Sequence, residues 1–169
     1  MPHCVMDSPV GHLRVDEEDG SITGVNRVQE PLSPPDTPLL REAVRQLRAY
    51  FDGVLTTFDL PLKTCGTTFQ ERCWAALREI PYGTTVTYGE QARRIGSPKA
   101  SRAVGGANHH NPISIIIPCH RVVGANGSLT GYGGGLDMKE WLLNHERSIL
   151  KSRNSNESGL HANQCRRLG

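Results

Sequence analysis

Apolar and polar residues alternate with a period near two in Gly11-His12-Leu13-Arg14-Val15 and again in Ile22-Thr23-Gly24-Val25, with the acidic stretch Asp16-Glu17-Glu18-Asp19-Gly20 between them. That alternation predicts a strand meander over residues 1–30, turned at the acidic stretch. The prolines of Glu30-Pro31-Leu32-Ser33-Pro34-Pro35-Asp36 can continue neither sheet nor helix and mark a connector. From Thr37-Pro38 the period changes. Leu40, Val44, Leu47 and Phe51 recur at three- or four-residue steps, predicting a helix that Gly53 stops. Phe58-Asp59-Leu60-Pro61-Leu62 reads as an extended connection to a boundary near Thr64–Gly66.

A second helix is predicted from Phe69 to Ile80, with Phe69, Cys73, Trp74 and Leu77 on one face and Pro81-Tyr82-Gly83 at its end. Thr84-Thr85-Val86-Thr87 is a short extended piece, and Tyr88 to Ile95 a short helix. Gly96 makes a turn, Ser97 is placed to cap, and Pro98 suits the first turn of a helix running through Lys99 to Ala107. A short helix, a glycine turn and a helix of small and basic residues make a helix-turn-helix arrangement. The run Ile113-Ser114-Ile115-Ile116-Ile117 then reads as a buried strand leading into Pro118-Cys119-His120-Arg121. Lys139 to Ile149 forms a last helix with Trp141, Leu142 and Ile149 inward. The polar, basic tail after it is expected to be disordered. The chain so divides into residues 1–65, 66–150 and a tail of 151–169.

Composition narrows the class. At 169 residues, 37% hydrophobic and 21% charged, the chain suits one ordinary soluble domain or two small ones sharing a core. No apolar run approaches the roughly 18–20 residues that span a bilayer, and the N-terminus lacks the pattern of a signal peptide. The five cysteines are scattered and form no Cys-x-x-Cys pair, which points to a reducing, intracellular setting. The net charge of +2 is unevenly spread: Met1 to Cys65 holds ten acidic and six basic residues, whereas Gln91 to Leu136 holds no acid and the five cations Arg93, Arg94, Lys99, Arg102 and Arg121. Such a stretch suits a phosphate-contacting face, although charge alone fits a solvated surface equally well. Ala100, Ala103, Gly106 and Ala107 would let the second helix approach a partner closely; tight helix packing is the competing explanation.

Three roles compete for Cys119-His120. A cysteine after three isoleucines behaves as a small apolar residue. Metal binding lacks a second spaced pair. Nucleophilic catalysis would have His120, or a linked water, take the thiol proton while a carboxylate orients the imidazole. Neighbours on a strand point to opposite faces, so direct contact is excluded unless Pro118 breaks the strand. The local residues leave the apolar and catalytic roles both open.

Pro118-Cys119-His120-Arg121-Val122 resembles the active-site signature of the O6-alkylguanine-DNA alkyltransferases, also called methylated-DNA–protein-cysteine methyltransferases. Arg102-Ala103-Val104-Gly105-Gly106-Ala107, Asn111-Pro112, Gly131-Tyr132-Gly133-Gly134-Gly135 and Lys139-Glu140-Trp141-Leu142-Leu143-Asn144-His145-Glu146 follow that family's order and approximate spacing. The resemblance covers Phe69 to Glu146 strongly; the first 65 residues resemble only the family's variable N-terminal domain. It implies an α/β (α+β) fold with a small N-terminal ribonuclease H-like α/β domain and a C-terminal winged helix-turn-helix domain.

By that resemblance Cys119 accepts the alkyl group from O6 of guanine, His120 acts as base through a water, and Glu146 orients His120. Asn111 is the hinge asparagine, and Tyr88 crowds the 3′ phosphate and donates toward guanine N3. Arg102 fills the gap left by the flipped nucleotide, with Ser97, Lys99, Ala103, Gly106 and Ala107 on the DNA face. Tyr132, Gly133, Val122, Asn108 and Pro118 are assigned to the substrate pocket. The implied partner is double-stranded DNA containing O6-alkylguanine, bound through the minor groove with the base flipped; O4-alkylthymine is a second candidate substrate. The product thioether has no activated carbonyl, so the protein is expected to react once, as a monomer, without metal or other cofactor. Its expected location is the cytoplasm, or the nucleus in a eukaryote, away from membranes. Two alternatives stand: a non-catalytic damage sensor, in which the reactive cysteine is commonly tryptophan, and a cysteine hydrolase using Cys119, His120 and Glu146.

Overall fold

The computed structural model describes residues 1–129 and 135–168, with side chains described through Asn154. Strands β1 (His3–Met6), β2 (Leu13–Glu18) and β3 (Ser21–Arg27) pair antiparallel in that order. The acidic stretch does not end β2. Its strand continues through Glu18, and only Asp19 and Gly20 turn, at φ 50° and 78°. Asp-Gly with both residues left-handed is the two-residue turn whose twist matches a hairpin. Helix α1 (Pro38–Phe51) lies on this sheet with Leu40, Ala43, Val44, Leu47 and Tyr50 buried. Thr37 caps it by accepting the Leu40 amide at 3.1 Å, and Gly53 follows it at φ 77°, where a Cβ would meet Ile149.

Helix α2 (Thr68–Leu77) opens with a capping box between Thr67 and Gln70. It stops three residues before the expected Ile80, because a residue preceding proline is pushed out of the helical region. The amides of Glu79 and Ile80 bond instead to Ala76 and Leu77 three residues back. Next come β4 (Val86–Thr87), α3 (Tyr88–Arg94) and α4 (Ser101–His109). Ser97 caps nothing. Its carbonyl closes a turn on the Ala100 amide at 2.9 Å with Pro98 in the second position, so α4 starts later than expected and without a side-chain cap. The three helices are tied together by buried polar contacts: Gln91 and Asn108 exchange side-chain hydrogen bonds at 3.0 and 2.7 Å, and Trp74 Nε1 donates to the Ala107 carbonyl at 2.9 Å.

The isoleucine run is not a strand. Residues 114–116 turn, with Ile115 at φ 73°, and Cys119–Arg121 form a 3-10 turn before β5 (Val122–Val123) pairs parallel with β4. Helix α5 (Leu136–Leu168) passes the expected end near Ile149, so the segment expected to be disordered is helical in this structure. Propagating an existing helix costs little, and no proline interrupts it. Arg153 also fastens it by donating to the carbonyls of Gly53 and Val54 at 2.9 and 3.2 Å. One core runs from Cys4 to Leu142 through both halves of the chain. No helix among the described residues is long and apolar enough to cross a membrane.

Candidate active site

Glu146 lies on the inner face of α5, one turn beyond Leu142, and is fully buried. A buried carboxylate is tolerable only when its charge is met by donors. Here Oε1 accepts from Arg121 Nε at 2.9 Å and the Gly83 amide at 3.0 Å. Oε2 accepts from His120 Nε2 at 2.6 Å, Tyr50 Oη at 2.6 Å and Arg121 Nη2 at 3.1 Å. The guanidinium is also held by the Ile80 carbonyl at 2.7 Å. Burial is the largest single effect on the carboxyl and opposes its charge, but His120 and Arg121 together outweigh it and hold the group ionised well below the usual carboxylate range. His120 goes the other way: burial, above all, keeps its imidazole neutral. Since a carboxylate can only accept, Nε2 carries the imidazole proton and Nδ1 the lone pair. Nδ1 is buried and has no hydrogen-bond partner among the described residues.

Asn111 builds the turn that presents the thiol. Its Oδ1 accepts the Ile113 amide at 3.0 Å, while Nδ2 donates to the Ile117 carbonyl at 2.8 Å and to Cys119 Sγ at 3.2 Å. Those bonds, with Ile117 N to Ile113 O at 3.0 Å, curl a β-branched run that its sequence would extend. Ile115 is left in a conformation that costs about 1–3 kcal/mol and persists because its surroundings impose it. The neighbouring sheet helps: Val25 bonds to the Pro112 carbonyl and Ser114 bonds to the Val25 carbonyl, at 3.1 and 3.0 Å. Pro118 precedes the 3-10 turn and so brings Cys119 and His120 out of strand geometry. Burial pushes the Cys119 thiol up to about 11, with the Asn111 amide and the Lys139 charge pulling it back. A thiol so placed needs a base.

The parallel β4–β5 pair brings Tyr88, at the head of α3, toward this turn. Lys139 Nζ sits 5.6 Å over the Tyr88 ring and donates to its hydroxyl at 3.4 Å. Only 1% of Lys139 is exposed, and burial lowers its pKa to about 8 against the opposing pull of Cys119. Tyr50, Gly83, Arg121 and Lys139 are members of the site that sequence reasoning missed. Arg121 and Lys139 lie inside the quoted motifs, so a signal for them existed. The helical pattern picks out the neighbouring Phe51, although it is Tyr50 that is buried, and Gly83 acts through its backbone.

On α4, Arg102, Ala103 and Gly106 share an exposed face, and Lys99 is exposed just before it. Ala107 does not share that face: it is buried in the core and only its carbonyl is used, by Trp74. Asn108 is buried with its amide engaged by Gln91, and the Val122 side chain is fully buried in the small sheet. Arg121 does not join the basic face, because Glu146 and Ile80 hold it inside. Tyr132 and Gly133 fall outside the described residues. A cavity of about 220 Å³ has Phe58, Tyr82, Ile115, Pro118 and Arg121 among its walls but neither Cys119 nor His120, so it does not open onto the thiol. Among the described residues no group of His, Cys, Asp and Glu has the arrangement to hold a metal ion.

Comparison with known proteins supplies the context for this geometry. Residues 1–64 match the family model for the ribonuclease-like domain of 6-O-methylguanine DNA methyltransferase, and residues 68–148 match its DNA binding domain. The chain is 52% identical over 155 residues to methylated-DNA–protein-cysteine methyltransferase of Methanosarcina acetivorans, covering 88% of this chain and 99% of that protein. It is 50% identical over 149 residues to the Mycobacterium tuberculosis protein of the same name, covering 85% and 90%. The crystal structure of Mycobacterium tuberculosis O6-methylguanine methyltransferase superposes with a TM-score of 0.80 at 49% identity, over 88% of this chain and 93% of that one. Mycobacterium tuberculosis OGT in complex with DNA gives the same TM-score and identity over 87% and 93%.

Proposed function

The chain belongs to the 6-O-methylguanine DNA methyltransferase family, and from that premise we propose that Cys119 takes the alkyl group from O6 of guanine in DNA. Its function is DNA repair by alkyl transfer. The observation that carries the assignment to Cys119 is the thiol held by Asn111 at 3.2 Å beside a buried His120–Glu146 pair at 2.6 Å. The thiol proton passes through a water to the lone pair on His120 Nδ1, and Glu146 stabilises the imidazolium that forms. The thiolate attacks the alkyl carbon as the carbon–O6 bond breaks, and the electron pair of that bond stays on guanine. Tyr88, with Lys139 donating to its hydroxyl, supplies a proton toward guanine N3, so the base leaves neutral. The thioether that remains offers water nothing to hydrolyse, and each molecule reacts once.

The target base sits in a duplex and must be flipped out to reach a buried thiol. The outer face of α4 suits that task. Arg102 enters the stack in place of the lost base, Ala103 and Gly106 allow close approach in the minor groove, and Lys99 and the uncapped helix start meet phosphate. Tyr132, Gly133 and Pro118 complete the pocket. The protein works as a monomer on two domains, 1–65 and 66–150, in the compartment that holds the DNA. Reaction with a duplex carrying one O6-methylguanine, followed by intact-protein and peptide mass spectrometry, tests this. One methyl per molecule on the Cys119 peptide is expected. Repeated turnover, or an adduct on Cys73 with Cys119 free, would overturn it.

A further inference from the structure

Tyr50 belongs to α1, in the half of the chain that contributes no group to the sequence signature, yet its hydroxyl ends on the catalytic carboxylate. It donates to Glu146 Oε2 at 2.6 Å, the oxygen that also takes His120 Nε2 at 2.6 Å. The side chain cannot swing away. It is fully buried, its ring is packed by Phe51, Phe58, Tyr82 and His145 at centroid distances of 5.4 to 6.1 Å, and its carbonyl accepts His145 Nε2 at 2.9 Å. Nor can it act as an acid, because burial and then the Glu146 charge push its ionisation well above that of an ordinary tyrosine. It is a permanent donor.

We propose that Tyr50 is a positioning residue for alkyl transfer, whose hydroxyl draws charge from Glu146 Oε2 and so keeps His120 neutral until the thiol needs a base. The inference rests on the assignment of Cys119, His120 and Glu146 given above. How strongly a carboxylate stabilises an imidazolium depends on how much of its charge other donors already hold. Without the Tyr50 hydroxyl, Glu146 would stabilise the imidazolium in the resting protein, and fewer molecules would offer the Nδ1 lone pair. The other groups facing the pair come from several elements. They are Arg121 and Cys119 on the 3-10 turn, Tyr82 after α2 with Arg121 5.6 Å over its ring, Lys139 and His145 on α5, and Arg153 farther along α5. Lys139 titrates at about 8 and so bears on the alkaline side of the profile.

The test is the single-turnover rate of Cys119 alkylation by a free O6-alkylguanine base from about pH 5 to about pH 8, read by mass spectrometry. A free base keeps contacts between α4 and DNA out of the measurement. In Tyr50→Phe the acid-limb midpoint should move up by about half to one pH unit. Transfer at the acid end should then slow about three- to ten-fold relative to the plateau of the same variant. With 3-fluorotyrosine incorporated at position 50, a stronger donor, the midpoint should move down; if Tyr50→Phe does not fold, the sign of this shift decides alone. An unmoved midpoint, or shifts of the same sign in both variants, would leave Tyr50 a packing residue only. No adduct on Cys119 in the unmodified protein would remove the functional assignment itself, and this inference with it.

Discussion

The carboxylate of Glu146 and the outer face of α4 are built on opposite terms. Around Glu146 both oxygens are occupied, by donors from α1, the loop after α2, the 3-10 turn and its imidazole. Along α4, by contrast, Arg102, Ala103 and Gly106 face solvent, and the helix begins without a side-chain cap. The first region is complete before any substrate arrives, as groups that must respond to developing charge should be. On the proposed function the second is completed by DNA, so stability and chemistry would coincide at Glu146, whereas at α4 function could be altered with the fold intact.

The sharpest way to break the contrast is at Glu146. Replacing it with glutamine removes the charge that holds Arg121 and orients His120. Breaking a buried ion pair in this way should cost about 3–5 kcal/mol in denaturant unfolding and slow Cys119 alkylation by about 10²–10⁴-fold. The pH dependence follows from the same carboxyl. Its folded-state pKa is depressed below the ordinary value of 4.5, so its contribution is fully present above that value and is lost as pH falls through it toward the folded pKa. The wild-type protein should therefore lose stability through that acid range more steeply than Glu146→Gln. Equal acid slopes would mean that Glu146 is not charged in the folded state.

How much of each region the sequence disclosed follows the same division. Ala103, Gly106 and Ala107 stand out together as small residues, and Arg102 through the resemblance; that Ala107 turns inward while the other three are exposed is set from elsewhere in the chain, by Trp74 on the Ala107 carbonyl and Gln91 on the adjacent Asn108. The strand expected at Ile113–Ile117 failed for a related reason: β-branched residues favour extension, but the Asn111 side chain and the β3 edge impose a turn. Cys119, His120 and Glu146 emerged as a set only through the family resemblance, since the carboxylate lies 26 residues from the imidazole. Tyr50, 96 residues from Glu146, had no local signal to offer.

Arg102→Ala should separate the two regions with a smaller effect. Because the side chain is exposed on α4, unfolding free energy should change by less than about 0.5 kcal/mol. Repair of O6-methylguanine in a duplex should slow by about 10–100-fold, since the lost insertion leaves a few kcal/mol of unstacking uncompensated. Alkylation by the free base should be unchanged. Equal losses on the two substrates would place Arg102 in the chemistry and dissolve the contrast.

Gly106 gives the finest measure of how bare the α4 face must be. A Cβ built there meets no atom within 4 Å, so the fold does not require glycine. Gly106→Ala should raise stability by about 0.5–1 kcal/mol, the usual gain at a helix interior. A sequence that forgoes that gain is explained if a side chain at 106 would stand between the helix backbone and the groove. Gly106→Phe should then fold as well as wild type and alkylate with the free base normally, yet repair the duplex more slowly by a clear margin. If the phenylalanine variant repairs duplex DNA at the wild-type rate, α4 does not lie close against its partner at this point, and the bareness of the face has some other cause than DNA.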